Sequence, residues 1–164
     1  MLYKNKMKVF AVFIGIITVY NVVFFCRSDV AAEDDFYETK VQKVLAGDRI
    51  MLRGGTIVQY YGIEVPPLND TRVKIAQLAI QAQQENERLV KDKTIRVEFV
   101  EVDDTSSIRY AYVFASGVLL NGHLLKNGYA CLSAYYGQKE KYYTYFAMAQ
   151  AKAVSAKKGL WSLL

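Results

Sequence analysis

Scarcity bounds this chain before any motif does. Its 164 residues include one histidine, two cysteines, two prolines and one tryptophan. The single histidine, His123, excludes a metal centre built on several imidazoles, and its place on a short helix asks for no role. The two cysteines fall in different parts of the chain, Cys26 in an apolar run and Cys131 far downstream. No disulfide can therefore form within the domain. Cys131 reads as a small buried hydrophobe, and Phe24-Phe25 ahead of Cys26 lacks the small residues of a lipoprotein cleavage site. The prolines are adjacent, Pro66-Pro67, and end a strand because proline donates nothing to a sheet. A Gly-rich phosphate loop and a nucleophile elbow are both absent, as are internal repeats and low-complexity segments.

Dense charge of one sign is missing as well. The formal net charge is +5. Residues 1–32 hold Lys4, Lys6, Lys8 and Arg27 against Asp29, and the rest of the chain carries 17 basic and 15 acidic side chains. That mild bias is not the basic surface of a dedicated nucleic-acid binder, and it neither supports nor excludes an anionic substrate.

What is present begins with the N-terminal segment. Lys4, Lys6 and Lys8 precede an uncharged run of 18 residues, Val9–Cys26, and Arg27 closes it. The run is at the lower edge of bilayer-spanning length and longer than a usual signal-peptide core. Length favours an uncleaved anchor through residues 9–26. The small residues Val30 and Ala32 favour a signal peptide cut after Ala32. In either case the lysines stay inside and the remainder lies outside the cytoplasm, membrane-anchored or secreted/periplasmic. The expected organisation is 1–27 membrane segment, 28–35 linker and 36–164 domain.

Within the domain, Tyr37–Leu45, Arg49–Arg53 and Thr56–Ile63 read as strands, with Gly54-Gly55 as a hairpin turn. An apolar stripe including Val73, Ala76, Ile80 and Leu89 predicts a helix from Arg72 to Val90, broken by Lys91-Asp92-Lys93. Thr94–Val102 and Arg109–Ala115 are further strands, joined by the polar turn Asp103–Ser107. A short helix, Leu119–Asn127, is closed by Gly128. A last helix is expected over Lys139–Lys158, with Gly159 as its C-cap and Trp161 as a core plug. Five short strands with a helix between the third and fourth predict an α+β fold, a five-stranded OB-type β-barrel with three helices.

Several pieces fit one family when taken in order. They are Val44-Leu45-Ala46-Gly47-Asp48, Val58-Gln59-Tyr60-Tyr61-Gly62-Ile63-Glu64-Val65-Pro66, Ala111-Tyr112-Val113, Leu120-Asn121-Gly122 with Leu124 to Gly128, and Ala149-Gln150-Ala151-Lys152 running to Gly159-Leu160-Trp161. Over about residues 36–164 the chain resembles the thermonuclease, or staphylococcal-nuclease-like, family. That resemblance implies cleavage of the DNA or RNA backbone with one calcium ion. The chemistry uses carboxylate ligands, a glutamate acting on the attacking water, and two arginines against the phosphate charge.

The resemblance places Asp48 on the first metal aspartate and Glu64 on the second. Val65 stands where a threonine offers its backbone carbonyl. At the catalytic positions stand Pro67 for the glutamate, Gln59 for the first arginine and Ile108 for the second. Arg109 substitutes for the second arginine only if the shortened turn shifts register, and adjacent strand residues face opposite sides. Arg49 follows the metal aspartate, where it is able to pair with Asp48 or Glu64 and take the cation's place. Tyr136 matches one of the family's base-flanking tyrosines and Tyr135 is its neighbour, while Ala134 takes the place of the other. Tyr142 and Tyr145-Phe146, at helical spacing, fit core packing better than stacking.

Two functions are therefore expected to compete. One is a pseudoenzyme, a nuclease fold with a degraded site that binds single-stranded DNA, RNA or protein, its calcium site weakened or lost. The other is a rewired calcium-dependent nuclease, with Asp70 or Glu64 as base, Arg109 and Arg49 as phosphate clamps and Asp48 as ligand. Asp70 also reads as a plain turn residue that helps cap the helix after it. A purely structural, membrane-tethered domain is a third reading.

Overall fold

The first strand, β1 (Phe36–Ala46), changes partner half-way along. A computed structural model describes residues 36–102 and 107–163; the apolar run, the linker before Phe36 and most of the Asp103–Ser107 turn lie outside the described residues. The first half of β1 pairs antiparallel with β5 (Thr94–Val100), from Phe36 opposite Glu98 to Lys40 opposite Thr94. The second half pairs with β2 (Arg49–Leu52), with register shifts between Val41 and Lys43 and between Val44 and Ala46. Such irregularities bend a strand and sharpen its twist, which lets one strand serve both sides of a closing sheet.

β2 turns through Gly54-Gly55, both at positive φ, into β3 (Ile57–Tyr60). β5 pairs with β6 (Ile108–Ala115), and β6 then runs parallel to β3, Ile57 opposite Ile108 and Tyr60 opposite Ala111. That last pairing closes the five-stranded barrel. Alternate residues Ile50, Leu52, Val58, Tyr60, Ile95, Val97, Ala111 and Val113 are buried, as the two-residue period of strands requires. The short β7 (Val118–Leu119) adds to the edge of β6.

Three helices cover the barrel. α1 (Val73–Val90) buries Leu78, Ala79, Ala82, Asn86, Leu89 and Val90. α2 (Leu120–Lys126) buries Leu120, Leu124 and Leu125. α3 (Tyr143–Ser155) buries Phe146, Ala149 and Ala153. Among the described residues no helix is long and apolar enough to cross a membrane.

Four expectations need correction. The run Thr56–Ile63 is not one strand. It breaks at Tyr61-Gly62, and β4 (Ile63–Glu64) pairs separately with β8 (Cys131–Leu132). Gly62 turns the chain at φ +82°, and a Cβ there would lie 2.7 Å from the Tyr136 ring, so both backbone and space demand glycine. The last helix starts at Tyr143, not Lys139, and Lys157 rather than Gly159 takes the left-handed position after it. Gly159 instead opens a 3-10 turn, Gly159–Ser162. Trp161 is half-buried, not a core plug, and its indole N–H is enclosed without a partner. Cys131 is likewise half-buried, its thiol donating to the Glu64 carbonyl at 3.6 Å.

Candidate ligand cavity on the barrel

Asp48 sits on the β1–β2 turn and is only 8% exposed. Its Oδ2 accepts the Val65 N–H at 3.2 Å, and its carbonyl accepts the Tyr60 N–H at 2.8 Å. One residue thus ties the first turn to β3 and to the segment after β4. Burial pushes the Asp48 carboxyl above the ordinary carboxylate range. Hydrogen bonds from Val65 and Gln59 and the Arg49 charge pull the other way but do not win.

Arg49 does not pair with Asp48 or Glu64. Its Nε–H donates to Gln59 Oε1 at 2.6 Å, across the β2–β3 register that sets Arg49 opposite Gln59. Glu64 is exposed, and its Oε1 accepts the Ser133 hydroxyl at 2.6 Å. Asp48, Val65 and Glu64 are therefore neighbours through the β4 segment. Among the described residues, no three His, Cys, Asp or Glu side chains are grouped so as to hold a metal ion.

Gln59 and Glu64 open into a cavity of about 460 Å³, walled by Tyr61, Tyr110, Ser133 and Tyr135. Tyr61 and Tyr110 meet edge to face, ring centroids 6.2 Å apart at 77°. Tyr135 is 94% exposed at the rim. Tyr136, the expected stacking residue, is only 5% exposed. Its hydroxyl meets that of Tyr112 at 2.9 Å and accepts the Tyr142 N–H, while its ring stacks on Phe146 at 5.3 Å. Tyr142 and Phe146 belong to the same aromatic cluster, and Tyr145 is half-exposed.

The remaining candidates do not line this cavity. Ile108 pairs with Ile57 on β6 and is half-buried. The next residue, Arg109, lies with its guanidinium 3.8 Å over the Phe99 ring and 3.3 Å from Glu101. Strand alternation sends Tyr110, not Arg109, to the cavity. Pro67 lines a second cavity of about 700 Å³ with Asp70, Lys74 and Trp161, which shares Glu64 with the first. Asp70 is a turn residue: its Oδ1 accepts the Arg72 N–H at 2.9 Å, and its carboxylate pairs with the Arg72 guanidinium at 2.8 Å. That pairing holds its pKa down to about 2. The helix cap itself is Arg72, with no side-chain cap bond.

Sequence reasoning missed Tyr61, Tyr110, Ser133 and the buried Asn121. Asn121 Oδ1 accepts the Val113 N–H at 3.0 Å, and its amide donates to the Tyr61 carbonyl at 2.9 Å. The alternation Arg109-Tyr110 was the available signal for Tyr110. No local pattern marks Asn121, which acts between elements.

With this geometry in view, comparison with known families is decisive. The family model for staphylococcal nuclease homologues matches residues 57–163. The chain belongs to that family. The matched span takes in β3 to the final turn, and β1 and β2 before it complete the same barrel. Comparison with curated proteins returns no match. In this nuclease homologue the cavity lies beside Gln59 and Glu64, two of the positions to which the resemblance assigns chemistry, while Pro67 and Arg109 line other surfaces.

Proposed function

We propose that this nuclease homologue is a non-catalytic binding module, directed outside the cytoplasm by its N-terminal segment, whose cavity beside Gln59 and Glu64 receives the bound group. The observation that carries the reading is the disposition of Arg109. It is the arginine next to the missing second clamp, and its guanidinium is committed to Phe99 and Glu101; Arg49, the other candidate clamp, is tied to Gln59. Gln59, Pro67 and Ile108 offer no positive charge and no proton acceptor of carboxylate strength. Losing one transition-state donor of this kind costs about 10²–10³ in rate, and three are replaced.

In this reading calcium binding is weak or absent. The ion takes six to eight oxygens, several from carboxylates. Here Asp48 Oδ2 is engaged by the Val65 N–H, and Glu64 Oε1 is engaged by Ser133. A single-stranded nucleic acid, entering through a base rather than a phosphate, and a protein segment are both candidate occupants; Tyr135 offers an open ring for stacking, which is worth about 1–3 kcal/mol per base.

The test is cleavage of single-stranded DNA and of RNA by the full chain in detergent, with calcium and with a chelator, beside Asp48→Ala. No cleavage in any arm is the expected result. Calcium-dependent cleavage that disappears in Asp48→Ala would overturn the reading and restore the enzyme. A second readout is the melting temperature, which calcium is expected to leave unchanged because a ligand raises stability only where it binds the native state.

A further inference from the structure

The cavity beside Gln59 and Glu64 has the wrong chemistry for a phosphate. Among the described residues that line it there is one charged side chain, Glu64, and no basic one. Its walls are tyrosine rings. Tyr61 and Tyr110 meet edge to face at its corner, at 77° with centroids 6.2 Å apart, and exposed Tyr135 stands at the rim as a third aromatic wall. The Tyr61 hydroxyl donates to Glu140 Oε1 at 3.2 Å. That bond draws negative charge toward the ring and makes its face a better partner for a cation. The Arg49 guanidinium is tied to Gln59 Oε1 and does not line the cavity.

We infer that this cavity binds an alkylated ammonium group, the cation of choline-like small molecules, between Tyr61, Tyr110 and Tyr135 with Glu64 as counter-ion. The inference rests on the binding-module reading and goes beyond it, naming a small cation rather than a nucleic acid or a protein segment as the occupant of the same site. Aromatic corners attract cations through the negative face of the ring, most strongly where water is excluded, and quaternary ammonium recognition is a principal use of that geometry. An alkylated ammonium is also the cation that loses least on entry. It donates few or no hydrogen bonds, so it needs no partner from Ser133 Oγ, already donating to Glu64, or from Gln59 Oε1, already accepting from Arg49. A volume of about 460 Å³ accommodates such a group together with a short tail.

The experiment is calorimetric titration of the full chain in detergent with choline, with tetramethylammonium, and with 3,3-dimethylbutan-1-ol, which has choline's shape without its charge. Choline and tetramethylammonium are expected to bind, and the neutral alcohol roughly tenfold or more weaker. Glu64→Gln and Tyr135→Ala alter exposed side chains, so both variants should fold. Each is expected to weaken choline at least about threefold, and Tyr61→Leu more. Equal affinity for choline and the neutral alcohol would overturn the inference and leave an apolar pocket. So would choline binding that both exposed variants leave untouched. Binding of an oligothymidylate in place of choline would also overturn it, assigning the tyrosines to bases. These failures are separable from failure of the underlying reading, which only the cleavage assay decides.

Discussion

Asp48 and Asn121 are both polar side chains taken out of water, and the barrel holds them differently. Asn121 spends its side chain on the Val113 N–H and the Tyr61 and Ala111 carbonyls. Replacement by leucine keeps the volume and strands at least the Val113 N–H and the Tyr61 carbonyl. Each buried orphan costs about 1–3 kcal/mol, so Asn121→Leu is expected to lose about 3 kcal/mol in urea unfolding with an unchanged denaturant slope. Asp48 is the opposite case. Its folded carboxyl titrates above the unfolded one because burial outweighs its hydrogen bonds. Between those two values the native state binds more protons than the unfolded chain, so stability falls as pH rises through that window. Asp48→Asn removes the titration. Thermal melts of the wild type are expected to drop across the window just above the ordinary carboxylate range, and those of the variant to stay flat by comparison. The carboxylates themselves were legible in the sequence, since Gly47-Asp48 and Glu64-Val65-Pro66 mark turns by composition. What their oxygens touch was not, because Val65 reaches Asp48 from 17 residues on, and Ser133 reaches Glu64 beside the β4–β8 pairing from 69 residues on.

At the scale of elements, the strands and α1 follow from periodicity and turn chemistry, and the departures have tertiary causes. Lys139–Tyr142 carries a helix-compatible sequence yet stays outside α3. Tyr142 is held at φ −112°, its hydroxyl on Glu98 and its ring 4.5 Å from Tyr112. Those anchors fix the backbone one turn short of where propensity would start the helix. The split of the third strand has a similar origin in the contact between Gly62 and Tyr136. A paired test isolates it. Gly54 and Gly62 both have positive φ, but only Gly62 faces a ring where its Cβ would go. Gly54→Ala should cost about 1 kcal/mol from backbone strain alone, and Gly62→Ala about 3 kcal/mol, since the Tyr136 ring must also give way. Similar losses in the two melting curves would show that the ring contact does not define the turn. The cavity shares this dependence: Tyr61 and Tyr110 meet only because β3 and β6 pair in parallel, a long-range closure that no local pattern announces.

For the whole molecule, the proposed role depends on where the barrel stands as much as on its cavity. The 18-residue uncharged run Val9–Cys26, with three lysines before it, carries the sequence's only sign of destination. Positive flanks stay in the cytoplasm, so the barrel is expected on the far side whether or not the run is removed. Protease added outside cells or spheroplasts should therefore digest the barrel without lysis. The size of the mature chain then separates the two fates. An anchor keeps residues 1–32 and stays with the membrane after an alkaline carbonate wash, because about 18–20 buried apolar residues resist extraction. A signal peptide leaves a chain beginning near Glu33, free in the wash. Protection from external protease in intact cells would place the barrel in the cytoplasm and overturn both. It would also remove the extracellular pool of small organic cations from the ligands the cavity meets, so topology decides which ligands are worth titrating.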